Sequence, residues 1–150
     1  MKNVLPALTL LSLLATSCSK SDDSTPQVKH NTWKLGTTTY TVNNYATNTT
    51  DDFQAYDKLG NGLNFSFASY PPADGNYRVV DRTASLGPNE MKVLAFGSAS
   101  GSSYFATGSD NTVAVVKVLG TSRVSISLPD TWVVKGGTDS LKLSVDIGEF

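Results

Sequence analysis

The chain has 150 residues, and its 12 lysines and arginines against 13 aspartates and glutamates give a formal net charge of −1 at pH 7. Its basic residues are scattered along the sequence, which argues against a nucleic-acid partner, because such proteins need a basic patch or stripe. With one histidine and one cysteine, the composition also excludes an internal disulfide and the usual zinc sites, which draw on several His or Cys ligands.

The first predicted element is a short, largely apolar segment, residues 4–14, which follows Lys2 and leads into small residues at 15–17. A membrane-spanning helix needs about 20 apolar residues, so this segment is too short to be one. A basic residue, an apolar run and small residues before a cleavage point are together typical of an export signal. Residues 1–17 are therefore predicted to be a signal peptide, and the single cysteine, Cys18, follows them directly.

Ala15-Thr16-Ser17-Cys18 resembles the cleavage site of bacterial lipoproteins. The resemblance implies that the chain is cut after Ser17, that Cys18 carries the lipid, and that the mature protein is held on a membrane. Lys20, Asp22 and Asp23 resemble the short acidic export signal of Bacteroidota outer-membrane lipoproteins, which implies an outer-membrane protein facing the cell surface. A periplasm-facing position is the alternative, and a secreted protein without lipid is the other interpretation of the signal.

Residues 18–30 are mostly polar, so they predict a disordered tether between the lipid and a folded domain. Within the tether, Asp23-Ser24-Thr25 resembles an O-glycosylation sequon of the same phylum, which makes Ser24 a predicted modification site. Residues 31–150 are predicted to form a single domain. Because lipidation consumes Cys18, that domain has to be stable by burial alone.

From residue 31 onward, short runs of alternating apolar and polar residues are separated by turn residues, as at Leu59-Gly60-Asn61-Gly62. Alternation in Ser122–Leu128 and in Leu141–Ile147 predicts strands with one buried face. Thr112–Leu119 is apolar on both faces and predicts a central strand. The other predicted strands are Thr32–Leu35, Thr38–Asn44, Phe53–Lys58, Leu63–Phe67, Tyr77–Asp81, Met91–Phe96, Tyr104–Thr107 and Thr131–Lys135.

The number and spacing of these runs predict an all-β fold. About 8–10 short strands separated by turns favour an antiparallel β-sandwich. A closed antiparallel β-barrel is the alternative. No helical period persists along the domain.

Few residues are suited to catalytic chemistry. His30 lies at the end of the tether, where no third group would hold it as a base, and it is interpreted as an exposed linker residue. Most aspartates fall at turns, where their side chains bond the local backbone. Asp51, Asp52 and Asp57 do not have the spacing of an EF-hand loop. The sequence therefore predicts no enzymatic activity, no metal and no cofactor.

Two aromatic residues near predicted loop ends are the candidates for ligand binding, Trp132 and Tyr70. A planar ring in such a position can stack on a sugar or a peptide; the other interpretation is that each ring packs on the core or stiffens a turn. The predicted function is a lipid-anchored module that binds a glycan, a peptide or an outer-membrane partner. An accessory structural protein of an envelope complex is the alternative, and a hydrolase is the third.

Overall fold

A computed structural model describes residues 31–47, 51–97, 101–120, 123–137 and 139–148. The predictions for the signal peptide, Cys18, the export signal and Ser24 fall outside the described residues. Within them the fold is all-β, a sheet of eleven strands that are mostly antiparallel. This confirms the predicted sandwich-like all-β class, with eleven strands in place of 8–10. No helix in the described part of the chain is long and apolar enough to cross a membrane.

The strands follow the turns of the sequence closely. They are β1 Thr32–Leu35, β2 Thr38–Thr41, β3 Asn44–Thr47, β4 Asp52–Tyr56, β5 Gly62–Phe67, β6 Gly75–Val79, β7 Glu90–Phe96, β8 Ser103–Ala106, β9 Val113–Val118, β10 Val124–Lys135 and β11 Asp139–Ile147. Their order in the sheet is β2-β1-β11-β10-β9-β6-β7-β5-β4-β3, and β8 pairs with both β7 and β10. The β6–β7 pair is parallel.

The two ends of this strand order are neighbours in the chain. Only Val42 and Asn43 separate β2 from β3, and consecutive Cα atoms are about 3.8 Å apart, so the sheet has to fold over and bring its ends together. The Val42 N–H donates to the Asn31 carbonyl beside β1, and the Asn43 N–H donates to the Tyr56 carbonyl of β4. The predicted single strand over Thr38–Asn44 is therefore wrong, because the backbone changes partners at Val42.

One continuous hydrophobic core fills the space between the folded halves of the sheet. The inner face of β5 supplies Leu63, Phe65 and Phe67, all buried. The Phe65 ring lies 6.1 Å from that of Phe53 on β4, and the Phe67 ring meets Tyr77 of β6 edge-on at 5.4 Å between centroids. The apolar residues of the alternating pattern that predicted this strand are therefore the residues that it contributes to the core.

Strand β10 joins two predicted strands into one. Its pairing with β11 shifts register between Leu128 and Thr131, so Pro129-Asp130 forms a bulge in place of the predicted break. The Asp110 carboxylate, from the turn before β9, accepts hydrogen bonds from the buried Thr131 hydroxyl at 3.2 Å and from the Trp132 N–H at 2.9 Å. A proline is tolerated in this strand because a bulge leaves its position out of the ladder.

Strand β9 lies in the interior of the sheet, between β10 and β6, but only one of its faces is buried. Ala114 and Val116 point into the core, whereas Val113 and Val115 are each 44% exposed. The prediction of a central strand is therefore confirmed, and its apolar outer face is left uncovered by the described elements.

Candidate functional site

A cavity of about 300 Å³ opens at one end of the sheet. The β1–β2 hairpin forms one side, and the end of β7, the start of β8 and the start of β11 form the others. Its apolar lining includes Trp33, Leu35, Tyr40, Phe96, Tyr104 and Leu141, and its polar lining includes Thr38, Asn61 and Ser102.

Aromatic residues from two hairpins flank the cavity. Trp33 and Tyr40 are cross-strand partners on β1 and β2, and their rings stack at 5.0 Å with an angle of 9° between the planes. Trp33 is buried and Tyr40 is half-buried. Tyr104 pairs with Ala95 across β8 and β7, so it approaches from the opposite side. A ligand in the cavity would contact the half-buried Tyr40 and Tyr104 side chains together with hydroxyl and amide groups.

Asp139 and Lys135 bond to two residues of the lining, and we call this side of the cavity its mouth. The Tyr104 hydroxyl donates to the Asp139 carboxylate at 2.9 Å, and this hydrogen bond raises the pKa of Tyr104, so the phenol stays protonated. The Lys135 ammonium donates to the Ser102 hydroxyl at 2.7 Å. Lys135 and Asp139 are register partners on β10 and β11. Their charges offset one another, so the mouth favours no ionic ligand of either sign.

A second cavity of about 350 Å³ lies at the opposite end of β5, between the loops that follow β5 and precede β7. Its lining is mostly apolar and includes Phe67, Leu86 and Pro88. The Tyr77 hydroxyl, which could have faced a ligand there, donates instead to the Ala73 carbonyl at 2.9 Å. The second cavity therefore offers fewer directional contacts than the first.

The structure does not place the predicted ligand-binding residues in either cavity. Trp132 lies on the outer face of β10, 41% exposed, with the Lys142 ammonium 4.6 Å from the centre of its ring. Tyr70 is half-buried and packs 6.4 Å from the Phe67 ring, and burial raises the pKa of its phenol. Tyr70 thus fits the interpretation of a packing residue, and Trp132 is an exposed ring with one face covered by a cation.

The residues that do surround the first cavity were interpreted from the sequence as strand and core residues. Alternation in Thr38-Thr39-Tyr40-Thr41 is enough to place Thr38 and Tyr40 on one face of a strand. No local signal places that face opposite Tyr104, because the two hairpins meet only when the sheet folds over.

Asp57, one of the aspartates considered as calcium ligands, is used by the fold. Both carboxylate oxygens of Asp57 accept hydrogen bonds within the β4–β5 turn, from the backbone of Leu59 and from the backbone and side chain of Asn61, each at 2.8 Å. In residues 31–148, apart from the undescribed gaps, no group of three or more His, Cys, Asp or Glu residues is arranged to hold a metal ion.

Asp110 should make the stability of the β10 bulge depend on pH. Burial disfavours its charge, but hydrogen bonds from the Trp132 N–H and from the hydroxyls of Thr112 and Thr131 outweigh burial and lower its pKa. A lowered folded-state pKa stabilises the protein fully above the ordinary carboxyl pKa of about 4, and this contribution is lost as the pH falls from that value through the lowered pKa. We expect Asp110→Asn to lower the urea midpoint at pH 7 and to have a smaller effect at pH 3.

Comparing the two proteins at each pH removes the contribution of the other carboxylates, such as Asp81 and Glu90, whose pKa values hydrogen bonds also lower. A difference in midpoint that stays constant from pH 7 to pH 3 would contradict the role assigned to the Asp110 charge.

Comparison with models of protein families, with curated proteins and with solved structures gave no match. A function for the chain must therefore be inferred from its own residues.

Proposed function

We propose that the chain is a lipid-anchored binding module of the outer membrane, and that its ligand occupies the cavity beside the β1–β2 hairpin. The observation that carries this proposal is the cavity itself, about 300 Å³ with Trp33, Tyr40 and Tyr104 in its lining. Ligand sites are typically concave, lined by aromatic and apolar side chains, and equipped with a small number of polar groups. The Tyr104 phenol donates its proton to Asp139, so its oxygen is left to accept a hydrogen bond from a ligand.

The proposed location rests on the N-terminal segment. Cys18 after small residues supplies the lipid attachment point, and Lys20, Asp22 and Asp23 supply the acidic export signal. Stable membrane anchoring takes more than one acyl chain, and a lipoprotein of this type carries a diacylglyceryl group on its cysteine. The binding site would then be displayed at the cell surface on a polar tether.

The binding proposal is tested with Tyr104→Ala. The soluble chain without residues 1–18 is screened against immobilised glycans and a displayed library of random peptides, and the dissociation constants of the hits are measured. Removing the Tyr104 ring takes away stacking and a wall of the cavity, so the variant should bind about tenfold more weakly, which corresponds to about 1.4 kcal/mol.

Trp132→Ala is the matched control, because it removes an aromatic ring from the outer face and leaves the cavity intact. A loss of binding in Trp132→Ala with none in Tyr104→Ala would move the site to the outer face. If neither library yields a hit, the chain is better described as an accessory structural protein of the envelope.

The export proposal predicts how intact cells respond to protease. Protease added outside should digest the wild-type domain, because it faces outward, and should spare a variant in which Asp22 and Asp23 are both replaced by alanine. Immunoblots of whole cells measure the surviving domain, with lysed cells as the control for protease access. The same digestion of both proteins in intact cells would contradict the role of these aspartates.

A further inference from the structure

Strand β2 stands at one end of the sheet, and among the described residues it pairs only with β1. The hydrogen bond from the Val42 N–H to the Asn31 carbonyl, 2.8 Å long, fixes the phase of this pair. In an antiparallel pair, residues alternate between bonding to the partner strand and pointing their backbone groups away from it. Thr38, Tyr40 and Val42 therefore bond toward β1, and Thr39 and Thr41 direct their N–H and C=O groups outward.

This edge carries little that would keep another strand away. Proteins commonly protect edge strands with charged residues, proline, bulges or short length. The sequence of β2 is Thr-Thr-Tyr-Thr, with no charge, proline or bulge, so its only protection is its length of four residues. Threonine and tyrosine favour strand pairing, and Thr38, Thr39 and Thr41 are exposed.

The same strand forms a wall of the cavity. Thr38 and Tyr40 line it, so a strand added beside β2 would direct every second side chain to the side on which the cavity lies. Trp33, Leu35 and Leu141 make the interior apolar, and the opposed charges of Lys135 and Asp139 leave no net charge at the mouth. The cavity is therefore complementary to uncharged aromatic or aliphatic side chains.

We infer that the ligand is an extended segment of a protein partner that adds to β2 as a further strand and places alternate apolar side chains in the cavity. This inference rests on the proposed function and names the ligand class. The outward backbone groups of Thr39 and Thr41 provide hydrogen bonds to the incoming backbone, and the cavity selects its side chains. In strand addition, main-chain hydrogen bonds give affinity and side-chain pockets give specificity. A glycan would use the rings of the cavity without needing the edge.

The test uses Thr39→Pro, which removes an outward backbone N–H that no described strand uses, and Thr39→Ala, which keeps it. Peptides selected from the random library should bind Thr39→Pro at least tenfold more weakly than wild type and Thr39→Ala within about twofold. Tyr104→Ala should also weaken these peptides. Equal binding of the peptides by Thr39→Pro and wild type would overturn strand addition.

Glycan hits that weaken with Tyr104→Ala and not with Thr39→Pro would overturn strand addition while leaving the proposed function intact. If the wild-type protein binds no glycan and no peptide, both proposals are wrong. If Thr39→Pro does not fold, amide hydrogen exchange of the wild-type protein tests the inference instead. The Thr39 and Thr41 amides should exchange quickly in the free protein and slowly in the protein with a bound peptide. Amides of Tyr40 and Val42, already bonded toward β1, serve as the slow reference, and unchanged exchange at Thr39 and Thr41 would overturn the inference.

Discussion

Replacing Phe65 with alanine should lower the free energy of unfolding by about 3–5 kcal/mol, the usual cost of removing a buried aromatic ring. Phe65 is fully buried in the middle of β5, and its ring packs against Phe53 of the neighbouring strand at 6.1 Å. Single domains of this size are typically stable by only about 5–15 kcal/mol. No disulfide can compensate in a chain with one cysteine, so this single change should leave a substantial unfolded population at 37 °C.

Urea unfolding followed by circular dichroism measures this effect. Val115→Ala is the matched control, since it truncates a side chain of the same sheet that is 44% exposed and should change stability by no more than about 0.5 kcal/mol. If the two variants lose the same stability, or if Phe65→Ala loses less than about 1 kcal/mol, the core does not lie where the structure puts it.

Replacing Cys18 with alanine should move the protein from the membrane fraction to the soluble fraction. The thiol is the only group on which the proposed thioether can form, so the variant should incorporate no labelled fatty acid and should no longer be held by acyl chains. Cell fractionation and labelling with radioactive palmitate measure both consequences. The effect should be close to complete, because acyl chains on Cys18 are the proposed means of attachment.

Ser19→Ala is the control for Cys18→Ala, because it changes the adjacent position and leaves the thiol in place. Its lipid labelling and fractionation should match those of wild type. Labelling that persists in Cys18→Ala, or an absence of labelling in wild type, would contradict lipid anchoring at this residue.

Local alternation was sufficient to predict several strands closely. The predicted Thr32–Leu35 coincides with β1, and Leu63–Phe67 falls within β5. These strands have one face on the core and one polar face, and a period of two in the sequence is the direct trace of that arrangement. The turn at residues 59–62 was also predicted, from its two glycines and one asparagine. In the structure Gly60 takes a φ of 79°, which favours glycine.

Features that depend on distant residues could not be read from the sequence. The Pro129-Asp130 bulge continues a strand because Asp110 bonds the backbone beyond it, and nothing near residue 129 reveals that partner. The outer face of β9 is exposed because no described element packs on it, and the sequence of the strand does not reveal this. The candidate cavity combines Tyr40 and Tyr104, which belong to separate hairpins, so its existence depends on how the sheet folds over.

The pairing of β1 with β11 has a consequence for the proposed export. Thr32 lies opposite Asp146, so β1, near the start of the domain, cannot form this pairing until β11, near its end, is available. Contacts between such distant positions slow folding, because a long loop has to close before they form. A chain that crosses a membrane from its N-terminus cannot complete this sheet until β11 has emerged. If the chain is exported as proposed, this topology would help keep the domain unfolded during translocation, and the sheet would close only after β11 has crossed.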